Sequence, residues 1–245
     1  MTIPATRTND VWLDKAEAYL ALIHDADRDS HYLRAHGLKP SLLRMVGDCS
    51  CVRVLDTGCG DGWLLDALAP AEGYGGDIYR YNQFPARWHF SVEDVRKMSY
   101  ADEFFDVTVA SLLLMWFSEL DAALAEIRRV TKSGGRVIIA LMHPDFYRTG
   151  EVRADGDYVV TCNLGTSFVI EDHRIAGAVG PFQYHYRRLS EYVNACVRAG
   201  LRIEELADWF VNMDDFVATF GSDCPSGMRR TGKVPMYAFI RCTKV

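Results

Sequence analysis

The sequence has no long apolar run, no excess of positive charge and no cysteine framework, and each absence removes a class of function. Its longest uncharged apolar stretch, Val107 to Phe117, has 11 residues, about half of the ~20 that a membrane helix needs. That stretch reads as a buried strand, and no membrane partner is expected. Lys and Arg number 27 against 33 Asp and Glu, a formal net charge of −6, which is the wrong sign for a surface that coats phosphate backbones. No nucleic-acid partner is expected. Seven cysteines, an odd number without framework spacing, suit reduced thiols. Met1 to Asp10 lacks a basic segment followed by an apolar one, so a cytoplasmic location is expected. Cys49, Cys51 and Cys59 have no fourth ligand at zinc spacing, and no metal site is expected. What is present is an ordinary globular composition, 49% hydrophobic and 24% charged over 245 residues, ample for a buried core.

The pattern along the chain alternates. Trp12, Ala16, Tyr19, Leu20 and Ile23 recur at helical spacing, and Leu42, Leu43 and Met45 precede a Gly47-Asp48 break, giving a helical preface over residues 1–48. Strands are predicted at Val52 to Asp56, around Tyr74, at His89 to Val92, at Phe105 to Ala110 and at Arg136 to Leu141. A helix lies before the fifth, with Ser118 and Asp121 as a capping box, Leu120, Leu124 and Ile127 on one face, and Gly134-Gly135 beyond its end. Over residues 142–188 the rhythm breaks, and Tyr158 to Cys162 with Ser167 to Ile170 are expected to pair as a small inserted hairpin. A helical stripe from Leu189 to Val197, closed by Gly200, precedes the last two strands, Leu201 to Leu206 and Val234 to Cys242. The expectation is an α/β chain of one domain, a doubly wound, seven-stranded, mostly parallel sheet.

Asp56-Thr57-Gly58-Cys59-Gly60-Asp61-Gly62 lies between the first strand and a helix, where the backbone bends sharply and approaches a ligand. A dinucleotide fingerprint needs a third glycine at a position occupied here by Trp63, which disfavours a nicotinamide cofactor. A second acid, Asp77, ends the next strand 21 positions after Asp56, the interval of a carboxylate that accepts two ribose hydroxyls.

This set resembles the class I S-adenosylmethionine-dependent methyltransferases, whose fold is Rossmann-like. The likeness continues through Glu93-Asp94-Val95, through Met98 to Val107, and through Leu124 to Val130 with Gly134-Gly135. The resemblance implies S-adenosyl-L-methionine as cofactor and S-adenosyl-L-homocysteine as product. It implies cofactor contacts at Asp56, Gly58, Cys59, Gly60 and Gly62, at Asp77 and Ile78, at Asp94 and Val95 for the adenine, and at Ser111. Only 16 residues separate Asp77 from Asp94, so the third helix of the family is expected to be shortened or missing.

Absent residues narrow the acceptor. After the fourth strand stands Ala110-Ser111-Leu112-Leu113, without the Asp/Asn-Pro-Pro-aromatic tetrapeptide of amino methylation, a Pro-Cys nucleophile or the metal-binding aspartate of catechol-type enzymes. What remains resembles small-molecule methyltransferases acting on O, N or activated C, as a monomer or homodimer. His143, which follows the fifth strand, is the expected general base, with His185 the second candidate. Tyr19, Tyr32 and Trp209 are expected at the substrate, and Arg229 and Arg230 at its rim for an anionic acceptor. In related enzymes such N-terminal helices fold over the methionine end of the cofactor, where Arg34 is placed to meet the carboxylate. The rival readings are methylation of RNA or a protein side chain, and a binding module that has lost catalysis.

Overall fold

Residues that pack both faces of a sheet must be apolar on both, and the central strands are. Val54 and Leu55, Val107, Val109 and Ala110, and Val137 to Leu141 are all fully buried. The computed structural model describes residues 7–26, 28–147, 150–152, 158–160, 166–175, 179–221 and 232–245. Strands β1 (Arg53–Thr57), β2 (Glu72–Asp77), β3 (His89–Val92), β4 (Phe105–Ser111) and β5 (Thr131–Met142) run parallel, and β10 (Leu201–Trp209) and β11 (Tyr237–Lys244) complete the sheet in the order β10-β11-β5-β4-β1-β2-β3. Strand β11 lies antiparallel to both of its neighbours. This is the expected seven-stranded Rossmann-like sheet.

One face is covered by α5 (Leu120–Val130) and α6 (Leu189–Arg198), whose Leu124, Ile127, Tyr192 and Cys196 meet Leu55, Ile139 and Ile240. The other face meets α3 (Lys39–Val46), α4 (Trp63–Leu68) and α7 (Met213–Phe220) through Leu42, Leu64 and Phe216. Helix α1 (Arg7–His24) stands off the sheet, and α2 (Asp29–Leu33) passes through a π-helical turn, Arg34–Leu38, into α3. Among the described residues no helix is long and apolar enough to cross a membrane.

Three local expectations change. Ser118 does not cap α5: its hydroxyl donates to Glu119 Oε2 at 2.9 Å, and Glu119 precedes the first turn. Gly134-Gly135 lies beyond the end of α5 as expected but already inside β5, which begins at Thr131 instead of Arg136 and whose register against β4 slips between Phe105 and Val107, a bulge. Among its described residues the insertion after β5 holds two antiparallel pairs instead of one: β6 (Gly150–Val152) with β7 (Tyr158–Val160), and β8 (Phe168–Ile175) with β9 (Val179–Tyr186). Strand β9 was hidden in the sequence by Gly180-Pro181, yet its Phe182, Tyr184 and Tyr186 are buried on alternate positions, the period of a strand.

Between β2 and β3 no helix forms, as the short interval predicts. Aromatic side chains of the link cover the sheet instead. A Cβ on Gly75 would lie 2.5 Å from the Phe84 ring, and one on Gly73 would lie 2.7 Å from Trp88. Those two glycines are therefore the seats of two rings that stand in for a helix.

Candidate active site

The carboxyl ends of the parallel strands and the turns that follow them border a cavity of about 440 Å3. Ligands of open parallel sheets lie at this edge. The turn after β1 is held to the end of β2 by backbone bonds, with the Gly58 and Cys59 amides donating to the Gly76 carbonyl at 2.7 and 3.3 Å. The Gly60 amide donates to Asp77 Oδ2 at 2.9 Å, and the Tyr79 amide donates to Oδ1 at 3.1 Å. Gly60 adopts φ +54, and a Cβ there would meet nothing within 4 Å, so the turn is open at this point.

The carboxylates of this edge are costly to ionise. Burial pushes the Asp77 carboxyl up to about 6 against the opposing pull of the amides of Gly60, Tyr79 and Ile78. Asp56, behind the cavity wall and 2% exposed, is pushed well above the carboxylate range by burial, then by the negative charges of Asp77 and Asp61. Its Oδ1 is buried without a hydrogen-bond partner, a condition that native structures seldom leave unexplained.

A buried cation faces these acids. Arg34, 9% exposed on the cavity wall, donates to the Tyr19 hydroxyl at 3.4 Å and lies 5.7 Å from the Trp63 ring centre. Among the described residues no carboxylate pairs with it. A guanidinium so placed requires an anion to offset its desolvation. The π-helical turn that it opens is a frequent mark of functional sites. Helix α1 is fastened across the glycine turn, with His24 Nε2 lying 2.7 Å from Asp61 Oδ2 and the Tyr79 hydroxyl donating to Glu17 Oε1 at 3.0 Å.

At the far side of the turn, Asp94 takes a forked pair of bonds from Arg96, Nε to Oδ1 at 2.9 Å and Nη2 to Oδ2 at 2.6 Å. Arg96 also reaches Glu119 at 3.1 Å and lies over the Phe117 ring. Val95 and Met98 present apolar surface beside them. Glu93, 6% exposed, is occupied by the amide and the hydroxyl of Ser99. Ser111 closes β4 on the cavity wall, and Leu112 after it holds φ +51, a strained conformation for a branched side chain.

Thus Gly58, Gly60, Asp77, Ile78, Asp94, Val95, Ser111 and Tyr19 meet on one wall. Other expected residues are placed elsewhere. Cys59 and Gly62 support the turn from behind. The Cys59 thiol is buried and pushed well up by that burial, and Gly62 opens α4 at φ +80. Tyr32 stacks on His36 at 4.2 Å and meets Phe216 edge-on, away from the cavity. Trp209 covers Gly37 and stacks on Tyr237 at 5.7 Å, because its position in β10 turns it onto the sheet. Arg229 and Arg230 lie outside the described residues.

The histidines are redistributed. His143 is 5% exposed; its Nδ1 accepts the Asp145 amide at 3.0 Å, and Nε2 lies 3.4 Å from Asp208 Oδ1. With both ring nitrogens engaged and the ring off the cavity wall, it fixes the turn at Pro144. His185 is likewise off the wall; its backbone amide donates to the Met115 carbonyl, and burial followed by the Arg187 charge lowers its pKa. The histidine on the wall is His173 of β8, which burial lowers to about 4. It went unseen because the strand that seats it pairs with β9, which was not recognised. Arg96 was missed as well, although its place two residues after Asp94 is the spacing of a local ion pair.

Comparison with known proteins agrees with this geometry. Residues 55–139 match the sequence profile of the family described as methyltransferase domain. The chain is 33% identical over 100 residues to a malonyl-[acyl-carrier protein] O-methyltransferase of Serratia marcescens, an overlap of 37% of this chain and 38% of that protein. It is 31% identical over 110 residues to a ubiquinone/menaquinone biosynthesis C-methyltransferase of Burkholderia cenocepacia, covering 36% and 42%. The matched region thus spans about two-fifths of the length of these curated relatives. An S-adenosylmethionine-dependent methyltransferase from Mesorhizobium loti superposes with TM-score 0.70 at 18% identity over 83% of this chain and 96% of that one. The order of strands is that of the fold shared with the Mesorhizobium loti enzyme, and the segment that holds the glycine turn and its paired acids is the one that matches the methyltransferase domain family.

Proposed function

We propose that this protein transfers the methyl group of S-adenosyl-L-methionine to an oxygen, nitrogen or activated carbon of a small molecule. The observation that carries the reading is the meeting, on one cavity wall, of the Gly58 and Gly60 turn, the Asp77 carboxylate and a buried arginine that no carboxylate pairs with among the described residues. The cofactor supplies an electrophilic methyl on a sulfonium, whose carbon–sulfur bond breaks as the bond to the acceptor forms.

The residues present fit this group. Asp77, its oxygens already oriented by the Gly60 and Tyr79 amides, accepts the ribose hydroxyls. Asp94, held in place by Arg96, accepts the adenine amino group while Val95 and Met98 flank the ring. Arg34 with Tyr19 takes the methionine carboxylate, and the orphaned Asp56 oxygen stands behind the same end of the turn. Rate enhancement comes from aligning the acceptor with the methyl and from excluding water behind aromatic walls. His143 and His185 act as supports in this scheme, and His173 is the ring near the acceptor.

We read residues 1–245 as one domain, with residues 1–48 as a lid and 142–188 as a cap, acting in the cytoplasm as a monomer or homodimer. The names of the curated relatives, a malonyl-[acyl-carrier protein] O-methyltransferase and a ubiquinone/menaquinone biosynthesis C-methyltransferase, support methylation at oxygen or carbon over methylation of RNA. Calorimetry tests the cofactor: micromolar binding of S-adenosylmethionine without binding of NAD is expected. Binding of NAD alone refutes the reading.

A further inference from the structure

The two ends of the cavity differ in chemistry. Asp77, Glu93 and Asp94 stand at the end that the proposed cofactor takes. Beside the β8–β9 hairpin the wall carries Trp12, Trp116 and Ile175, and its polar groups include His173, Arg174 and Tyr19, whose ring lies 5.2 Å from Trp12. The Trp116 ring lies 5.4 Å from Trp12, 5.3 Å from Phe182 and 5.7 Å from His173, so an apolar body entering here is met by ring faces and edges. Three consecutive residues, His173 to Ile175, reach the wall because the pairing of β8 with β9 slips on both sides of His173.

Arg174 is the cation of this end. It is exposed at the rim, and among the described residues no carboxylate pairs with it. Of the two acids in the same strand, Glu171 accepts the side-chain amide of Gln183 at 2.9 Å, and Asp172, two positions before Arg174, forms no ion pair with it. His173, lowered by burial, is neutral at physiological pH and adds no charge. A lone guanidinium beside an apolar chamber attracts an anion more strongly than one surrounded by water.

We infer that the methyl acceptor is a hydrophobic compound bearing one anionic group, and that Arg174 of the cap recognises that group while Trp12 and Trp116 hold the apolar body. The inference rests on the methyltransferase reading for the word acceptor, but the anion site stands on its own residues. It makes Arg174 the specificity-determining residue of the site.

The test is calorimetric titration of the full chain, saturated with S-adenosylhomocysteine, with 2-naphthoate and with its neutral isostere 2-naphthamide. The acid is expected to bind about fivefold tighter than the amide, the scale of a partly exposed charge pair. Arg174→Gln should erase that preference and leave the affinity for S-adenosylhomocysteine within about twofold, and Arg174→Lys should keep part of the preference. Equal binding of acid and amide, binding of neither, or a preference that survives in Arg174→Gln overturns the inference. A chain that binds no S-adenosylhomocysteine yet prefers the acid, with the preference lost in Arg174→Gln, upholds the anion site and refutes the cofactor reading instead.

Discussion

Replacing Asp77 by Asn tests the proposed ribose contact separately from the rest of the site. The substitution keeps one oxygen for the Gly60 or Tyr79 amide but removes the charge that would strengthen hydrogen bonds from a ribose. Loss of charge-assisted bonds of this kind costs about 1.5–3 kcal/mol, so affinity for S-adenosylhomocysteine at pH 7.5 should fall by roughly 10- to 150-fold. The wild-type protein adds a pH signature. With its carboxyl pushed up to about 6, Asp77 is roughly nine-tenths ionised at pH 7 and roughly one-tenth at pH 5. Cofactor affinity should therefore drop by close to tenfold, about 1.3 kcal/mol, between those two values. Stability runs the other way. Because burial raises this carboxyl above its unfolded value of 3.8, its ionisation opposes folding above pH about 6, by an amount of order 2–3 kcal/mol. The penalty fades as pH falls from there toward 3.8. Asp77→Asn should accordingly melt higher than wild type at pH 7.5 without ligand, with the gap closing toward pH 4. Titration by calorimetry and thermal melts across pH 4.5–8 measure both. An unchanged affinity in Asp77→Asn refutes the ribose assignment; a pH dependence that persists there moves the titration to Asp56, whose carboxyl is also raised.

Four further outcomes follow from the same structure. Arg34→Gln should weaken S-adenosylhomocysteine by about 1.5–3 kcal/mol and leave 5′-methylthioadenosine, which lacks the amino-acid portion, unaffected; equal losses for both ligands in calorimetry exclude a carboxylate contact. His143→Gln should leave the rate and the acidic limb of its pH profile unchanged while lowering the melting temperature, since the ring braces the Pro144 turn, so a lost acidic limb restores it as the base. Gly75→Ala should destabilise the fold by about 1–3 kcal/mol through collision with Phe84, a value read by urea unfolding and contradicted by a neutral result. Hydrogen exchange should show residues 11–24 and 207–221 gaining protection on binding S-adenosylhomocysteine, and equal protection in both states would make them fixed scaffold.

The elements nearest the sheet were the most legible. Asp77 and Gly60 were found because a strand, a turn and a second strand impose a fixed interval on the two acids. The missing third helix was visible too, since 16 residues leave no room for it. The side chains that cover the cavity obey no such interval. Tyr32 and Trp209 sit on the expected elements but turn inward onto Phe216 and Tyr237, because periodicity tells which residues share a face and not what that face meets. His173 and Arg174 depend on a strand whose Gly180-Pro181 start carries turn chemistry, so the local signal opposed the tertiary one.

The cavity has a floor and a rim, and that depth has a kinetic consequence. Gly58, Gly60 and Asp77 line the wall at the ends of the strands, whereas Arg174 is exposed at the edge of the cap, and α1, clasped by His24 and Glu17, closes over the floor. A ligand at the floor is in place before one at the rim can seat, and it leaves only after the rim is clear. Under the proposed function, turnover should then be compulsory-order, with S-adenosylmethionine binding first and S-adenosylhomocysteine leaving last, a pattern that product-inhibition kinetics checks.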